Sequence, residues 1–349
     1  MAIDRLLGVE GSVIRHRLMR RDEIAMKTLM KATTYSFRRL LVVGGVWLLP
    51  LLWFWCSAAT LTVGPFGDKN YMLIGDAVKA AAANDIVEVY PGQYDEPTIE
   101  LDKTITVRGK YDPIQQRVIG SGDGFSITAG HPILEALTVT RSGNGVTLSG
   151  AYAKCTIRNC LVLANGENGV ETTFNQPCFI LNCVLGYNKG SGVVDTFGMI
   201  GTKPVYTVAN TLLIGNAEYG ASVVGFFSGP ATVDYSLFFD NHQGVASDSD
   251  LLGSHVQQAV NPKFRDVDRQ DFRLQADSAA VNAGDPSPGS QDPDGTRNDI
   301  GVYGGPYARS FWYGPGPGPP VRDLVAIPPV VKYGRTFRVE GKAQVEPTP

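Results

Sequence analysis

An internal repeat of 23 to 28 residues is the feature that most constrains what this chain can fold into. Segment 155–174 (CTIRNCLVLANGENGVETTF) aligns without gaps with segment 178–197 (CFILNCVLGYNKGSGVVDTF), and related segments begin at 206 and 231. Each repeat holds short β-rich runs broken by Asn and Gly, which is too short for a βαβ unit and lacks a helical pattern. One such repeat cannot bury its own apolar face, so the pattern predicts a coil whose turns stack on one another.

Stacked turns should pair as parallel strands about 4.8 Å apart, which places equivalent residues in columns. The predicted aliphatic columns are Ile157, Ile180, Val208 and Val233, and Val162, Leu185, Leu213 and Phe238. The predicted asparagine ladder, at a corner that needs a left-handed bend, is Asn165, Asn188, Asn216 and Asn241. The glycines expected at the other corner are Gly145, Gly169, Gly192, Gly220 and Gly244.

The composition excludes several classes of protein. Of 349 residues, 31 are Lys or Arg and 34 are Asp or Glu, so the chain lacks the basic surface of a nucleic-acid binder. Hydrophobic residues make up 43%, which is enough to fill a core and argues against a disordered chain. A charged fraction of only 19% beside 40 glycines favours short strands and tight turns over a helical bundle.

Residues 1–59 have the character of a targeting segment. Arg38 and Arg39 precede the apolar run LLVVGGVWLLPLLWFWCSAA (40–59), which ends in small residues. This order predicts a signal peptide cleaved after Ala58 or Ala59. The alternative is an uncleaved anchor, because about 20 apolar residues can span a bilayer. Under either interpretation the protein is expected to be exported, either secreted or in the cell envelope, with membrane contact only through this segment.

Both ends of the repeat carry recognisable sequences. An amphipathic helix is predicted over 71–83, alternating strands follow over 85–110, and the stretch 261–305 contains D-x-D-G before DIGVY. With the Asn/Gly-cornered turns, these motifs resemble the pectate-lyase-like superfamily. The resemblance implies an all-β, right-handed parallel β-helix with an N-terminal helical cap. The expected organisation is a signal peptide (1–59), the β-helix with its cap (60–258), a closing module (259–305), and a Pro/Gly-rich linker with a short β tail (306–349).

One strand of the repeat is apolar on both faces. Its second apolar stripe comprises Leu161, Val184, Leu212 and Leu237, extended by Leu163, Ile214 and Phe239. Large exposed apolar patches are unusual, so we expect the closing module or the tail to cover this stripe.

The aligned turns can be searched for catalytic pairs. Glycoside hydrolases need two carboxylates about 5–9.5 Å apart, and no carboxylate stacks on another in the four best-aligned repeats. Glu171 and Asp195 come nearest, but a one-residue offset places them on opposite faces. The catalytic residues therefore stay unknown. The residues weighed as candidate bases are His131, His242 and Arg158, each with the alternative of being ordinary polar surface. The candidate sugar-stacking aromatics are Tyr187, Tyr206 and Tyr219, each with the alternative of a packing role.

Metal sites have one candidate stretch. Alternate acidic residues followed by Gly begin a Ca²⁺ loop, and the stretch 292–299 supplies Asp292, Asp294 and Asp299, with Asp266 and Asp268 as weaker additions. The alternative is a turn in which Asp side chains bond their own backbone. The four cysteines Cys155, Cys160, Cys178 and Cys183 form two C-x4-C pairs, for which zinc, disulfides or small core residues in columns are open. Apart from Ca²⁺, no cofactor is predicted.

The resemblance implies an architecture and a setting more than a reaction. We expect an exported repeat protein that presents a polysaccharide-interacting surface without strong catalysis. The alternatives are a polysaccharide lyase or related carbohydrate-active enzyme, acting on uronic-acid polymers, and a structural envelope component or adhesin.

Overall fold

A computed structural model describes residues 58–173, 177–196, 206–224, 232–311, 321–327 and 338–343, the last two ranges as backbone. The described residues between 60 and 258 wind into a parallel β-helix in which the complete turns contribute one strand to each of three sheets. No helix in the described part of the chain is long and apolar enough to cross a membrane. The predicted signal peptide falls outside the described residues, apart from Ala58 and Ala59, and stays a prediction.

The elements follow one another as short strands with few helices. The strands of the coil are β1 (Thr60–Val63), β2 (Ile86–Val89), β3 (Gly92–Glu96), β4 (Ile99–Leu101), β5 (Thr106–Gly109), β6 (Gln116–Gly120), β7 (Phe125–Ile127), β8 (Ile133–Glu135), β9 (Thr138–Thr140), β10 (Val146–Leu148), β11 (Cys155–Arg158), β12 (Leu161–Leu163), β13 (Val170–Thr172), β14 (Cys178–Leu181), β15 (Val184–Gly186), β16 (Val193–Asp195), β17 (Tyr206–Ala209), β18 (Leu212–Ile214), β19 (Tyr219–Val223), β20 (Val233–Asp234), β21 (Leu237–Phe239), β22 (Gly244–Ala246) and β23 (Gln257–Gln258). Beyond the coil lie β24 (Phe264–Asp266), β25 (Asp271–Leu274), β26 (Val321–Ile327) and β27 (Arg338–Ala343). The helices are α1 (Ile74–Ala80) and three short 3-10 segments at Pro113–Gln115, Ser249–Leu251 and Pro306–Ser310.

The strands of the coil form three parallel sheets. Sheet A has the order β1-β2-β5-β8-β11-β14-β17-β20, and sheet B has the order β23-β21-β18-β15-β12-β9-β6-β3. Sheet C has the order β22-β19-β16-β13-β10-β7-β4. The all-β fold predicted from the repeat is therefore confirmed.

The core runs along the axis as columns of stacked side chains. Ile157 pairs with Ile180 and Ile180 with Val208, and Val162 pairs with Leu185 in the second column. All members of both aliphatic columns are buried. Cys155 pairs with Cys178 in register inside the core. Because successive side chains of a strand point to opposite faces, every second residue of each strand points into the core.

The asparagine ladder lies inside the corner between sheets B and C. Asn165 Nδ2 donates to Asn188 Oδ1 over 3.0 Å, Asn188 repeats this to Asn216 over 3.0 Å, and Asn216 to Asn241 over 2.8 Å. The backbone N–H of each of the first three asparagines also donates to the side-chain oxygen of the next asparagine in the ladder. The buried amides thus satisfy one another and the corner backbone, as burial of polar groups requires.

The backbone at this corner differs in one respect from the prediction. The left-handed residue is the one before each ladder asparagine, not the asparagine itself, and these residues are Ala164, Tyr187, Gly215 and Asp240, with φ from 53° to 59°. Gly145, Gly169, Gly192 and Gly220 do not have positive φ; only Gly244 does. A Cβ on Gly169 would lie 2.5 Å from the carbonyl oxygen of Gly192, so close stacking of turns requires glycine there.

A second column of asparagines stands at the corner between sheets A and B. Asn159, Asn182 and Asn210 adopt φ of 50° to 53°, which Asn tolerates better than most residues. Their side chains reach the closing module. Asn159 Nδ2 donates to the carbonyls of Val302 and Gly304 over 2.8 Å each, and Asn182 Nδ2 donates to Asn298 Oδ1 over 2.8 Å.

The closing module covers the second apolar stripe. Leu161, Val184 and Leu212 of sheet B pack in one buried cluster with apolar side chains of the module. The module's members of this cluster are Phe264, Phe272, Ala280, Ile300 and Val302. The hypothesis that 259–305 covers the stripe is therefore confirmed, and the apolar residues of this face are part of a second core rather than a bare binding surface.

The first turn is closed by α1, which lies within the predicted 71–83 helix. The carboxylate of Glu96 accepts the backbone N–H groups of Ile74 and Gly75 over 2.7 and 2.8 Å, which caps the helix from a different segment. At the other end of the chain, β26 and β27 form an antiparallel hairpin within the predicted tail.

Candidate functional site

The outer face of sheet A carries a column of charges in register. Glu88 of β2 pairs with Arg108 of β5, Arg108 with Glu135 of β8, and Glu135 with Arg158 of β11. The strand geometry places these side chains outward, between inward positions such as Val87 and Val89, and about 4.8 Å apart along the axis. Acids and arginines therefore alternate on four successive turns.

The charges form ion pairs. Arg108 Nη2 donates to Glu88 Oε1 over 2.9 Å, and Lys110 Nζ donates to Glu88 Oε2 over 3.0 Å. Burial alone would raise the pKa of Glu88, but the hydrogen bonds from Lys110 and Arg108 outweigh it and the pKa is lowered. Arg158 donates to Glu135 Oε2 through Nε over 2.9 Å and through Nη2 over 2.5 Å. These contacts hold the donors of both arginines in fixed directions.

Three tyrosines accompany the charged column. Lys69 Nζ lies 4.3 Å from the ring centre of Tyr90, and Tyr111 meets the same ring edge-on at 6.4 Å. Arg158 Cζ lies 3.6 Å from the ring centre of Tyr307, in the 3-10 segment that follows the closing module. Tyr111 and Tyr307 are 46% and 48% exposed, so both present aromatic surface to solvent.

We name this set the sheet A polar face: Asp68, Lys69, Glu88, Tyr90, Arg108, Lys110, Tyr111, Glu135, Arg158 and Tyr307. Hydroxyls, guanidinium and ammonium groups beside exposed rings are the groups that hold a sugar polymer, since rings contact the apolar faces of sugars and charges bond their hydroxyls or carboxylates. In this column each carboxylate neighbours an arginine rather than another carboxylate. This alternation differs from the pair of neighbouring carboxylates that a glycoside hydrolase needs.

Arg158 illustrates a correction. The alternatives considered for it were a base and a solvated corner residue, yet it lies on strand β11 with a side chain only 17% exposed. Its guanidinium is held by Glu135 and Tyr307. Asn159, the next residue, forms the corner.

The two histidines singled out from the sequence occupy different places. His131 Nε2 lies 3.1 Å from the hydroxyl of Thr156, at the edge of sheet A. His242 follows the last ladder asparagine, and its backbone N–H donates to the carbonyl of Asn216. Among the described residues, neither ring forms a hydrogen bond or ion pair with the charged column.

His255, which the sequence analysis does not single out, is held in a fixed orientation by a neighbouring carboxylate and a tyrosine ring. His255 Nδ1 lies 3.0 Å from Asp234 Oδ2, and the backbone N–H of His255 donates to Asp234 Oδ1 over 2.9 Å. The ring stacks on Tyr235 with centres 4.3 Å apart and planes 5° apart. The contact at Nδ1 fixes the orientation of the ring and leaves Nε2 as the nitrogen that does not contact Asp234. Asp234 belongs to β20, so this dyad stands at the end of sheet A.

The three candidate sugar-stacking tyrosines are not equivalent. Tyr206 is fully buried and its hydroxyl donates to the carbonyl of Ser222 over 2.9 Å, so it packs the core. Tyr219 is partly buried in β19. Tyr187 is 42% exposed and lines a cleft on sheet B. Of the three, only Tyr187 has an exposed ring beside a cavity.

The Asp292 stretch folds as turns that bond their own backbone. Asp292 accepts the N–H groups of Gly305 and Asp299 over 2.5 and 3.0 Å, and Asp299 accepts that of Asn282 over 2.7 Å. Asp294 accepts the N–H and hydroxyl of Thr296. Within the described ranges, no three His, Cys, Asp or Glu side chains group so as to hold a metal ion. Ca²⁺ binding at Asp292, Asp294 and Asp299 stays a prediction for a binding measurement.

The four cysteines are buried and unbonded. Burial raises the pKa of each of Cys155, Cys160 and Cys183, to about 12 for Cys160. Buried thiols of this kind are unreactive, which agrees with the interpretation as small core residues in columns.

The fold was compared with known proteins. Residues 114–256 match the family described as the right handed beta helix region. Among solved structures, the chain is similar to the pectin methylesterase from Aspergillus niger (12% identity, TM-score 0.29, 59% of this chain and 82% of that chain). It is also similar to pectate lyase Pel9A (16% identity, TM-score 0.31, 71% of this chain and 97% of that chain). No curated protein sequence matches the chain. The family match confirms the predicted right-handed β-helix.

Proposed function

We propose that this chain, a right-handed parallel β-helix protein of the pectate-lyase-like type, is exported and binds polysaccharide along the sheet A polar face without strong catalysis. The observation that carries the proposal is the in-register column Glu88, Arg108, Glu135 and Arg158 with exposed tyrosines beside it. Turns about 4.8 Å apart repeat these groups along an axis, as a linear polymer repeats its sugars. The fold type also supports a carbohydrate-related role.

The charge of the face favours an acidic polymer. It carries four cationic side chains, Lys69, Arg108, Lys110 and Arg158, against three carboxylates, Asp68, Glu88 and Glu135. Arg108 and Lys110 share Glu88, which leaves part of their charge for a ligand carboxylate. Uronic-acid polymers are therefore the first substrate class to test.

Affinity electrophoresis tests the proposal. Migration of the mature protein is expected to slow in gels containing polygalacturonate. Tyr111→Ala and Arg108→Gln should each weaken binding about fivefold, since a stacking or charge-assisted contact contributes about 1 kcal/mol. Arg265→Gln, which removes an exposed arginine of the closing module, serves as the matched control and should migrate like the parent. Unchanged migration in every polysaccharide gel would contradict the proposal and favour a structural envelope role.

A carbohydrate-active enzyme is the second candidate, favoured by the Asp234–His255 dyad. His255 Nε2 is positioned as a base at the end of the same sheet. In a lyase the base removes the C5 proton of a uronic acid, the C4–O4 bond breaks as the C4–C5 double bond forms, and the departing O4 takes up a proton from water. Absorbance of that unsaturated product, lost in His255→Gln and on chelation, would establish this function. Binding without such absorbance supports the first proposal instead.

A further inference from the structure

Sheet B carries a cleft that neither the charged column nor the dyad uses. It has a volume of about 190 Å³ and lies between the strands β6, β9 and β12 and the β24–β25 hairpin of the closing module. Its lining residues are Arg117, Thr138, Thr140, Leu163, Ala164, Tyr187, Val267, Gln270 and Phe272. None of them is acidic. A space of this size holds several waters or one compact ligand, not a polymer.

Arg117 is the one charged residue of the cleft. It projects outward from β6, in register with Gln93 of β3 and Thr138 of β9. Its Nε is buried with no hydrogen-bond partner, and no carboxylate forms an ion pair with it within the described part of the chain. By contrast, Arg108 and Arg158 are both paired. Because a guanidinium stays charged, an unpaired buried N–H is costly and favours an anion at this point.

The rest of the lining combines residues that carry hydrogen-bond donors with apolar residues. Thr140, Tyr187 and Gln270, whose side chains carry such donors, are among the lining residues. Burial raises the pKa of Tyr187, so its hydroxyl keeps its proton and remains a donor. Leu163, Val267 and Phe272 supply apolar walls.

We propose that this cleft binds a small carboxylate with a compact apolar body. The carboxylate meets the planar fork of Arg117, which matches two oxygens at once, and the body contacts Leu163 and Phe272. The site lies on sheet B and stands independently of polysaccharide binding on sheet A. Either proposal fails without affecting the other.

Saturation-transfer NMR titration with benzoate tests the site. Benzoate is expected to bind, while benzyl alcohol, which has the same ring without the charge, should bind at least tenfold more weakly. Inorganic sulfate, which has charge without the ring and no protons to observe, is tested as a competitor and should displace benzoate only at concentrations at least tenfold higher. Arg117→Met should weaken benzoate binding about tenfold or more, as loss of a charge-assisted bond predicts. Arg265→Gln should leave the benzoate affinity unchanged.

A second variant guards against misfolding of the first. Val267→Trp places a large ring at a position that is 40% exposed on the closing module, so it fills the cleft without altering the coil. It should also abolish the benzoate signal while leaving the circular dichroism spectrum unchanged. No binding of benzoate to the parent protein, equal binding by Arg117→Met, or sulfate binding as tight as benzoate would each overturn the proposal.

Discussion

Asn188 lies at the centre of the asparagine ladder and makes bonds in both directions. Its Nδ2 donates to Asn216 Oδ1 and to the carbonyl of Val162, and its Oδ1 accepts from the backbone and side chain of Asn165. It is 1% exposed, so water cannot replace these partners. The corner of two turns therefore depends on a single side chain.

Removal of this side chain should be strongly destabilising. Asn188→Ala leaves the N–H of Asn165 and the carbonyl of Val162 without one of their partners. Because an unsatisfied buried polar group costs about 1–3 kcal/mol, the free energy of unfolding should fall by about 2–4 kcal/mol. Urea unfolding followed by circular dichroism measures the change. The neighbouring exposed Lys189→Ala is the control, and equal stability of the two variants would refute the role given to the ladder.

Asp292 makes stability depend on pH in an unusual direction. Burial, opposed by the hydrogen bond from Gly305 and supported by the nearby charge of Asp299, raises its pKa from the ordinary value of 3.8 to about 7. The folded protein therefore prefers the protonated group. Its stabilisation is complete below about pH 4 and is lost as the pH rises through 7, by up to about 4 kcal/mol.

Comparison of the parent with Asp292→Asn isolates the contribution of Asp292 to the pH dependence of stability. The stability advantage of the parent over Asp292→Asn should shrink between pH 4 and pH 8, because only the parent has the titrating group. Thermal unfolding at both pH values measures it. An advantage that grows with pH would show that the carboxylate is preferred in the folded state and would contradict the assigned direction.

Residues in strict repeat register were predictable, and those outside it were not. Asn165 and Asn188 recur at equal positions, so their stacking follows from the spacing alone. His255 and Asp234 lie 21 residues apart in the last turn, where the repeat has no further copy to align. Glu88 and Arg108 belong to early turns whose sequences diverge from the repeat, so the alternation of charges emerged only from the strand register.

At the scale of secondary-structure elements, the closing module docks on the coil through both polar and apolar contacts. Asn182 donates to Asn298 Oδ1 and to the carbonyls of Asp299 and Gly301 from one corner of the coil. Beneath it, the apolar stripe of β12, β15 and β18 packs on Phe264, Phe272 and Ile300. Polar corner bonds and apolar packing thus act on the same segment.

Asn182→Gly should loosen the module without unwinding the coil. Glycine keeps the positive φ of 51° at no cost and removes only the side chain, so the lost bonds account for the effect. Limited proteolysis should cleave within 259–305 several-fold faster. Asn84→Gly, which changes an exposed asparagine with φ of 72°, is the matched control. Equal cleavage of both variants would show that Asn182 does not hold the module.

The covered stripe could be predicted at this scale, but the manner of docking could not. Leu161 and Val184 recur on the outer face of sheet B, so a cover was required by their apolar character alone. The partners Phe264 and Ile300 lie in a segment that does not repeat. The spacing between them and the stripe residues therefore gives no basis for predicting which residues meet. The role of the second asparagine column was not predictable, because IRNC, ILNC and VANT have the composition of strand ends and nothing in them indicates a contact with a distant segment.

At the scale of the whole molecule, sheets A and B differ in what covers their outer faces. Sheet B is partly covered by the closing module and keeps a small cleft, whereas sheet A presents charges in register with tyrosines beside them. Tyr307 connects the two, because it follows the module in sequence and stacks on Arg158 of sheet A. The folding of the module therefore completes the polar face.

Oxidative footprinting with mass spectrometry tests the proposed surface most directly. The rates of oxidation of Tyr111, Tyr307 and the comparison residue Tyr187 are measured with and without polygalacturonate. All three rings are between 42% and 48% exposed, so their rates in the free protein are comparable. Binding along sheet A predicts that Tyr111 and Tyr307 become protected while Tyr187, on sheet B, keeps its rate. Protection of Tyr187 alone, or of none of the three at saturating polymer, would contradict the account.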